Sequence, residues 1–170
     1  MRHLLRLADG ATLLVRPLTA GDRDALDAAV ARLSPTSRLL RFHAPKPRLT
    51  KADLDRLLDL DHHDREALIA IDPATGQGVA VARYGAFPDE AGAAELAVTV
   101  ADAWQGRGLG GALTRMVIER AREEGFAHLR AVAMGENRRA VRMLRAGGFL
   151  HRHMGGGLVE LELDLVDRVH

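Results

Sequence analysis

The chain of 170 residues contains no cysteine. Disulfides, thiolate metal ligands and a cysteine nucleophile are therefore excluded. A reducing compartment is compatible with this, and the cytoplasm is the expected location. An excess of one charge is also lacking. The net charge is +1, with acids and bases mixed along the chain. That is no electrostatic footprint for nucleic acid. No apolar run approaches the ~18 residues of a membrane span, so no membrane partner is expected. The opening "MRHLLRLADG" is interrupted by Arg6 and Asp9, and so does not read as a signal peptide. Trp104 and Tyr84 are each the sole member of their type, and Lys46 and Lys51 are the only lysines. Repeats, low-complexity tracts and linkers are absent too. Residues 1–170 are therefore expected to form one domain, and the 47% hydrophobic content can fill its core.

What is present alternates between two periods. "LLRLADGATLLVRPL" predicts two strands around the turn signal Asp9-Gly10. "TAGDRDALDAAVARLS" predicts a helix, with Thr19 and Asp22 spaced as a capping box. "SPTSRLLRF" and "LTKADLDRLLDL" predict two more, the second with Thr50 and Asp53 in the same arrangement. "HAPKPRL" holds Pro45 and Pro47 and must be irregular. "EALIAID", "VAVARYGAF" and "AAELAVTVA" predict strands, the last two forming a hairpin across "PDEAG". A helix to about Glu124, closed by Gly125, follows, then strand "HLRAVAM", helix "NRRAVRMLRAG" and strands "FLHRHM" and "LVELELDL". The order ββααα-βββ-α-β-α-ββ implies an α/β or α+β protein with mixed strand directions.

One helix begins without an ordinary cap. In "WQGRGLGGALTRMVIER", residues 104–120, four of the six residues 106–111 are glycine. The first helical turn has no Asp, Glu, Ser or Asn; its first carboxylate is Glu119. Yet the opening N–H groups of a helix lack intrahelical partners and carry partial positive charge. Glycines let a backbone adopt φ > 0 and approach a ligand closely. Successive N–H groups in such a turn form an anion-binding nest, suited to phosphate. The plainer alternative is a tight, solvent-exposed strand-to-helix turn. "GRGLGG" also satisfies G-x-G-x-x-G, with Glu136 as a possible acidic partner. About 105 residues precede it and only 59 follow Gly111, too few for a two-halved dinucleotide fold. A Walker A loop is excluded, because no Gly-Lys-Ser/Thr occurs.

Gln105-Gly106-Arg107-Gly108-Leu109-Gly110 matches Q/R-x-x-G-x-G/A. It resembles the pyrophosphate loop of the GNAT superfamily of acyl-CoA-dependent N-acetyltransferases. "AELAVTVADAWQGRGLGGAL" is similar to that family's central strand, loop and helix. "ENRRAVRMLRAGGF" resembles its second motif, matching at Asn137, Ala140, Gly148 and Phe149, with Met143 replacing a leucine. "VRPLTAGDRDAL", "ARLSPTSRLLRFHAPKPRLT" and "DREALIAID" resemble the acetyltransferase domain of bacterial Pat-type protein lysine acetyltransferases. Such domains are often fused to a nucleotide-sensing or synthetase-like domain. Regulation of that kind is not implied for this stretch of sequence. The resemblance implies a GNAT fold with a mixed central sheet of about six to seven strands and flanking helices. Acyl-CoA would lie in the cleft between the two central strands. It further implies that backbone groups of Val98, Thr99 and Val100 hold the pantetheine arm and thioester. Gln105 and the N–H groups of Gly106, Arg107, Gly108, Leu109, Gly110 and Gly111 would form the pyrophosphate loop. Arg107 would add charge, and Asn137 would sit at the mouth of the cleft.

Acetylating an amine requires its neutral form, whereas a lysine side chain has a pKa of about 10.4. A nearby base supplies the correction, directly or through a water. On "AAELAVTVA", Ala93, Glu95, Ala97 and Thr99 share one strand face, small except for Glu95. Glu95 is therefore the candidate base, and the Pat-type resemblance implies the same position. A solvent-facing strand glutamate is the plainer alternative. Many GNAT members place a tyrosine acid in the second motif; here that position is Leu144. Tyr84 is read as packing or substrate wall. "DHHD" at 61–64 offers no compelling third ligand, so no metal is expected, and the stretch reads as a loop. Arg138, Arg142 and Arg145 read as a solvated helix face, with the cofactor's 3′-phosphate or an acidic protein surface as the alternative contact, and His151 and His153 read as packing or surface.

The expected function is N-acetyl transfer from acetyl-CoA to a primary amine, with a protein lysine as the expected acceptor. A small amine as acceptor, or a non-catalytic acyl-CoA-binding module, are the alternatives. A shallow acceptor groove favours protein; an enclosed acidic pocket favours a small amine. Monomer and homodimer both remain open.

Overall fold

Two capping boxes and a chain of turn signals divide the sequence into strands and short helices. The computed structural model describes residues 1–166; the last four positions of the expected 1–170 domain lie outside them. The strands are β1 (His3–Arg6), β2 (Thr12–Pro17), β3 (Arg65–Ile71), β4 (Gly78–Ala86), β5 (Ala93–Val100), β6 (His128–Met134), β7 (Leu150–Gly155) and β8 (Leu158–Asp164). The helices are α1 (Arg23–Ala31), α2 (Pro35–Phe42), α3 (Lys51–Leu58), α4 (Leu109–Glu123) and α5 (Arg138–Ala146). Ser34 caps α2, its side chain accepting the Ser37 N–H at 3.1 Å with Pro35 at the first helical position. Thr50 caps α3 by accepting the Asp53 N–H at 3.1 Å, and Asp53 accepts the Thr50 N–H at 2.8 Å.

The strands form one sheet in the order β1-β2-β3-β4-β5-β6-β8-β7. Its eight strands exceed the six to seven expected, because short β1 and fully exposed β7 both pair at its edges. All neighbours are antiparallel except β5 and β6. Period-two alternation sends one set of side chains to each sheet face. Tyr84, Leu96, Leu68 and Leu129 join Leu113 and Val117 of α4 and Leu144 and Phe149 in one core. Ala67 and Ile69 face the other way, into a smaller core with Leu26, Val30 and Leu54 of α1 and α3. Burying each such leucine contributes roughly 2 kcal/mol.

The parallel pair is short. β5 meets β6 only at Ala93–His128, Ala94–Leu129 and Glu95–Arg130. Beyond Glu95, β5 stays paired with β4 up to Val100–Ala80, while β6 continues paired with β8 alone. The sheet therefore forks at Glu95. Backbone groups of residues 96–100 that point toward β6 have no strand to meet, and unmet backbone polar groups seek other partners.

Candidate active site

A cleft of about 240 Å³ lies beside this fork. It is lined by Val98, Thr99 and Val100 of β5, by Gln105, Gly106, Gly108, Gly110 and Gly111, and by Asn137, Ala140 and Met143. The glycine stretch and the second motif, 26 positions apart from Gly111 to Asn137, thus meet in one concavity. Gly108 is the N-terminal cap residue of α4, at φ 84°, and no side chain caps that end. The first bond of the helix runs from the Ala112 N–H to the Gly108 carbonyl. The N–H groups of Leu109, Gly110 and Gly111 precede it; Gly110 and Gly111 line the cleft, and the first turn has no acidic residue. A Cβ on Gly108 would meet nothing within 4 Å. Open space at an uncapped helix end is the geometry that accommodates a phosphate group.

Gln105 organises the loop through its side-chain amide. Its Nε2 donates to the Val100 carbonyl at 3.0 Å and to Ser37 Oγ at 3.1 Å. Its Oε1 accepts from Arg139 at 2.9 Å. One side chain thereby ties β5, α2 and α5 to the loop. Asn137 caps α5, its Oδ1 accepting the Ala140 N–H at 3.3 Å. Leu109 is buried in the core and does not line the cleft. Arg107 turns the other way: its Nε donates to Asp9 at 2.7 Å, and its guanidinium lies 4.1 Å from the Trp104 ring centroid. The cations lining the cleft are Arg41 and Arg139 instead. Sequence reading passed over Arg139, Ser37 and Arg41, since only tertiary packing brings α2 and α5 to this loop.

Glu95 stands at the last position where β5 pairs with β6, exposed, and among the described residues no basic group lies within ion-pair distance of it. Its β6 neighbour Arg130 is already committed to Glu90 and, at 2.7 Å, to Glu162, which drives its pKa above the usual arginine range. Glu95 borders a small hollow of about 70 Å³ shared with Val98, Asn137 and Met143, which leads to the cleft. It also borders a groove of about 380 Å³ on the other side, with Ala97, Arg41, Arg83, Phe87 and Pro88. The carboxylate thus lies between two concavities that a donor and an acceptor could enter from opposite sides.

Several other residues are structural. Tyr84 is fully buried on the opposite face, donates to the His63 carbonyl at 3.0 Å, and meets the Phe126 ring edge-on at 5.2 Å. Burial pushes its phenol up, away from proton donation. Leu144 is buried against the hollow. In the DHHD loop, His62 pairs with buried Glu66 at 2.8 Å and His63 pairs with Glu124. Among the described residues no histidine and carboxylate cluster has metal-holding geometry. Arg138, Arg142, Arg145, His151 and His153 are exposed. No described helix is long and apolar enough to cross a membrane.

Comparison with known proteins places this geometry. Residues 34–149 match the family model described as Acetyltransferase (GNAT) family. An acetyltransferase of Pseudomonas aeruginosa is 37% identical over 146 residues, covering 85% of this chain and 78% of the relative. Acetyltransferase Pat of Mycolicibacterium smegmatis is 26% identical over 97% of this chain, which spans about half of that protein. Among solved structures, the GNAT domain of S. lividans PAT superposes with a TM-score of 0.89 at 32% identity, covering 96% of each chain. Forked sheet, uncapped glycine loop and family match agree: the chain belongs to the acetyltransferase (GNAT) family.

Proposed function

We propose that this chain, as a single domain, transfers an acetyl group from acetyl-CoA to a protein lysine, with Glu95 as general base. The observation that carries the reading is the place of Glu95: an unpaired carboxylate at the fork, between the loop cleft and an open groove. Uncapped N–H groups of residues 109–111 would hold the pyrophosphate, and free backbone groups beyond the fork the pantetheine arm. The acceptor nitrogen, approaching past Glu95, attacks the thioester carbon. A C–N bond forms, the C–S bond breaks, and CoA leaves as a thiolate. Glu95 takes the surplus amine proton, directly or through a water, and water or a substrate ammonium protonates the thiolate. With Leu144 and buried Tyr84 both unable to donate, no side-chain acid is assigned.

The acceptor side does not suit a polycationic small amine, because its lining holds four arginines against two carboxylates. Its rim residues Arg56 and Pro88 are exposed, as a groove for a polypeptide requires. Glu95→Gln should lower kcat/KM for a lysine peptide by roughly a hundredfold at pH 7, within the range of a lost general base. The deficit should narrow toward pH 9, because the free-amine fraction rises about tenfold per pH unit below an amine pKa of about 10.4. A variant that keeps near wild-type rates across pH 7–9 removes Glu95 from the role. Mass spectrometry on lysine proteins beside small amines tests the acceptor; acetylation of the small amines alone overturns the lysine assignment.

A further inference from the structure

The groove beside Glu95 carries more positive charge than its neighbours neutralise. Arg83 lies on β4 one diagonal step from Glu95: it pairs with Ala97, and Gly85 pairs with Glu95. Diagonal neighbours on one sheet face are roughly 7–8 Å apart, close enough for long side chains to serve the same ligand. Arg41 reaches the same groove from the last turn of α2. Both are half-buried. Among the described residues neither has a carboxylate within ion-pair distance. Among the described residues Arg83 donates only to the Leu57 carbonyl, at 3.0 Å, and Arg41 packs over the Phe42 ring at 5.0 Å.

The nearby acids are otherwise engaged. Asp53 accepts from Lys46 at 2.8 Å and from Arg56 at 2.9 Å. Arg65 is held by the Asp59 carbonyl at 2.7 Å and lies 3.6 Å from the Asp59 and Asp61 carboxylates. Glu95 alone faces Arg41 and Arg83, and its charge is cancelled when it takes a proton from the acceptor. Burial holds the Arg83 guanidinium down to about 10, with Arg41 and Arg56 adding like-charge repulsion. Desolvated cations without counterions are costly, so a charge of opposite sign from outside is favoured there.

We infer that Arg83 and Arg41 select acceptors bearing an anionic group near the amine to be acetylated. This deepens the acceptor assignment and rests on the groove being the acceptor side. The shared chemistry is a carboxylate or phosphate a few ångströms from the amine. An acidic residue flanking a target lysine supplies it in a polypeptide; a carboxylate supplies it in a small amino acid. Arg83 borders the groove but not the loop cleft, so its part is confined to the acceptor.

The test compares lysine peptides with Asp or Glu at one or two positions from the lysine against the same peptides with Asn or Gln. A second arm sets small amino acids against their amides. Wild-type protein should favour the acidic peptide by tenfold or more in kcat/KM, expressed in KM, and the preference should weaken as salt is added. Arg83→Gln should reduce the ratio below threefold while the KM for acetyl-CoA stays unchanged; Arg41→Gln should reduce the same ratio, but Arg41 also lines the loop cleft, so its KM for acetyl-CoA is not the control. The wild-type comparison stands even where a variant fails to fold. Equal rates on acidic and amide peptides overturn the inference while leaving lysine acetylation intact. A preference that survives in both folded variants removes these arginines from the role. Turnover of small amino acids alone, faster than of their amides, upholds anionic selection and overturns the lysine reading.

Discussion

Gly108 and Gly110 are two residues apart at one loop-to-helix junction, yet glycine is required at each for a different reason. Gly108 sits at φ 84° with open space above it. A side chain there must enter the left-handed region, at roughly 1–2 kcal/mol, and would project where the ligand approaches. At Gly110, φ is ordinary, but a Cβ would stand 3.0 Å from Met143 Sδ and 3.3 Å from Val100 Cγ2. A leucine there would push α4 from α5 and deform the cleft. Gly108→Val should therefore weaken acetyl-CoA binding at least tenfold with a small loss of stability. Gly110→Leu should weaken it and lower thermal stability as well. Isothermal titration and thermal melting separate the two, and unchanged affinity in both variants refutes a loop that binds pyrophosphate. The need for glycine is legible in "GRGLGG"; the division of labour is not, because Met143 arrives from another helix.

Among the elements, α1 and α3 are anchored by carboxylates at their N-termini. Thr19 and Asp22, spaced as a box, lead through a 3-10 turn at Ala20–Asp22 into α1. Asp22 accepts the Thr19 N–H at 2.8 Å and two Arg16 bonds at 2.7 and 2.8 Å. The Arg16 guanidinium, with the Thr19 N–H, holds this carboxyl down to about 2 against desolvation by burial. Asp53 is likewise held well below the usual range, chiefly by Lys46 and the Thr50 N–H. A depressed folded-state pKa contributes stability that is complete above the unfolded value of about 3.9 and is lost as pH falls toward the folded one. Stability should thus decline between about pH 4 and pH 2. Asp22→Asn should cost on the order of 2 kcal/mol at pH 7, and the difference from wild type should shrink toward pH 2. Urea unfolding at pH 7 and pH 3 checks this; a cost independent of pH overturns it. The threonine–aspartate spacing was readable from sequence. Arg16 and Lys46 were not, because a strand and an irregular loop carry them to the caps. The same limit hid Arg83 and Arg41: β4 and α2 share no motif, and only the sheet register and the helix layer place both beside Glu95.

At the scale of the whole molecule, element order and the two-faced sheet followed from the alternation of periods two and 3.6. The point where β5 leaves β6 did not, since the apolar pattern of "AAELAVTVA" runs on unchanged past Glu95. That fork makes one cleft from pieces of β5, α4 and α5, so occupying it should brace all three against unfolding. A ligand at a hundred times its Kd stabilises by about 2.7 kcal/mol, and a domain of this size gains about 2–4 °C per kcal/mol. Saturating acetyl-CoA should therefore raise the melting temperature by about 5–10 °C. Glu95→Gln should retain that shift while losing turnover, because Glu95 lies past the cleft, at the hollow between donor and acceptor. Gly110→Leu should lose both. A Glu95 variant that lost the shift would place its carboxylate in cofactor binding. One that kept both the shift and full turnover would leave the chemistry to the bound thioester and the acceptor alone.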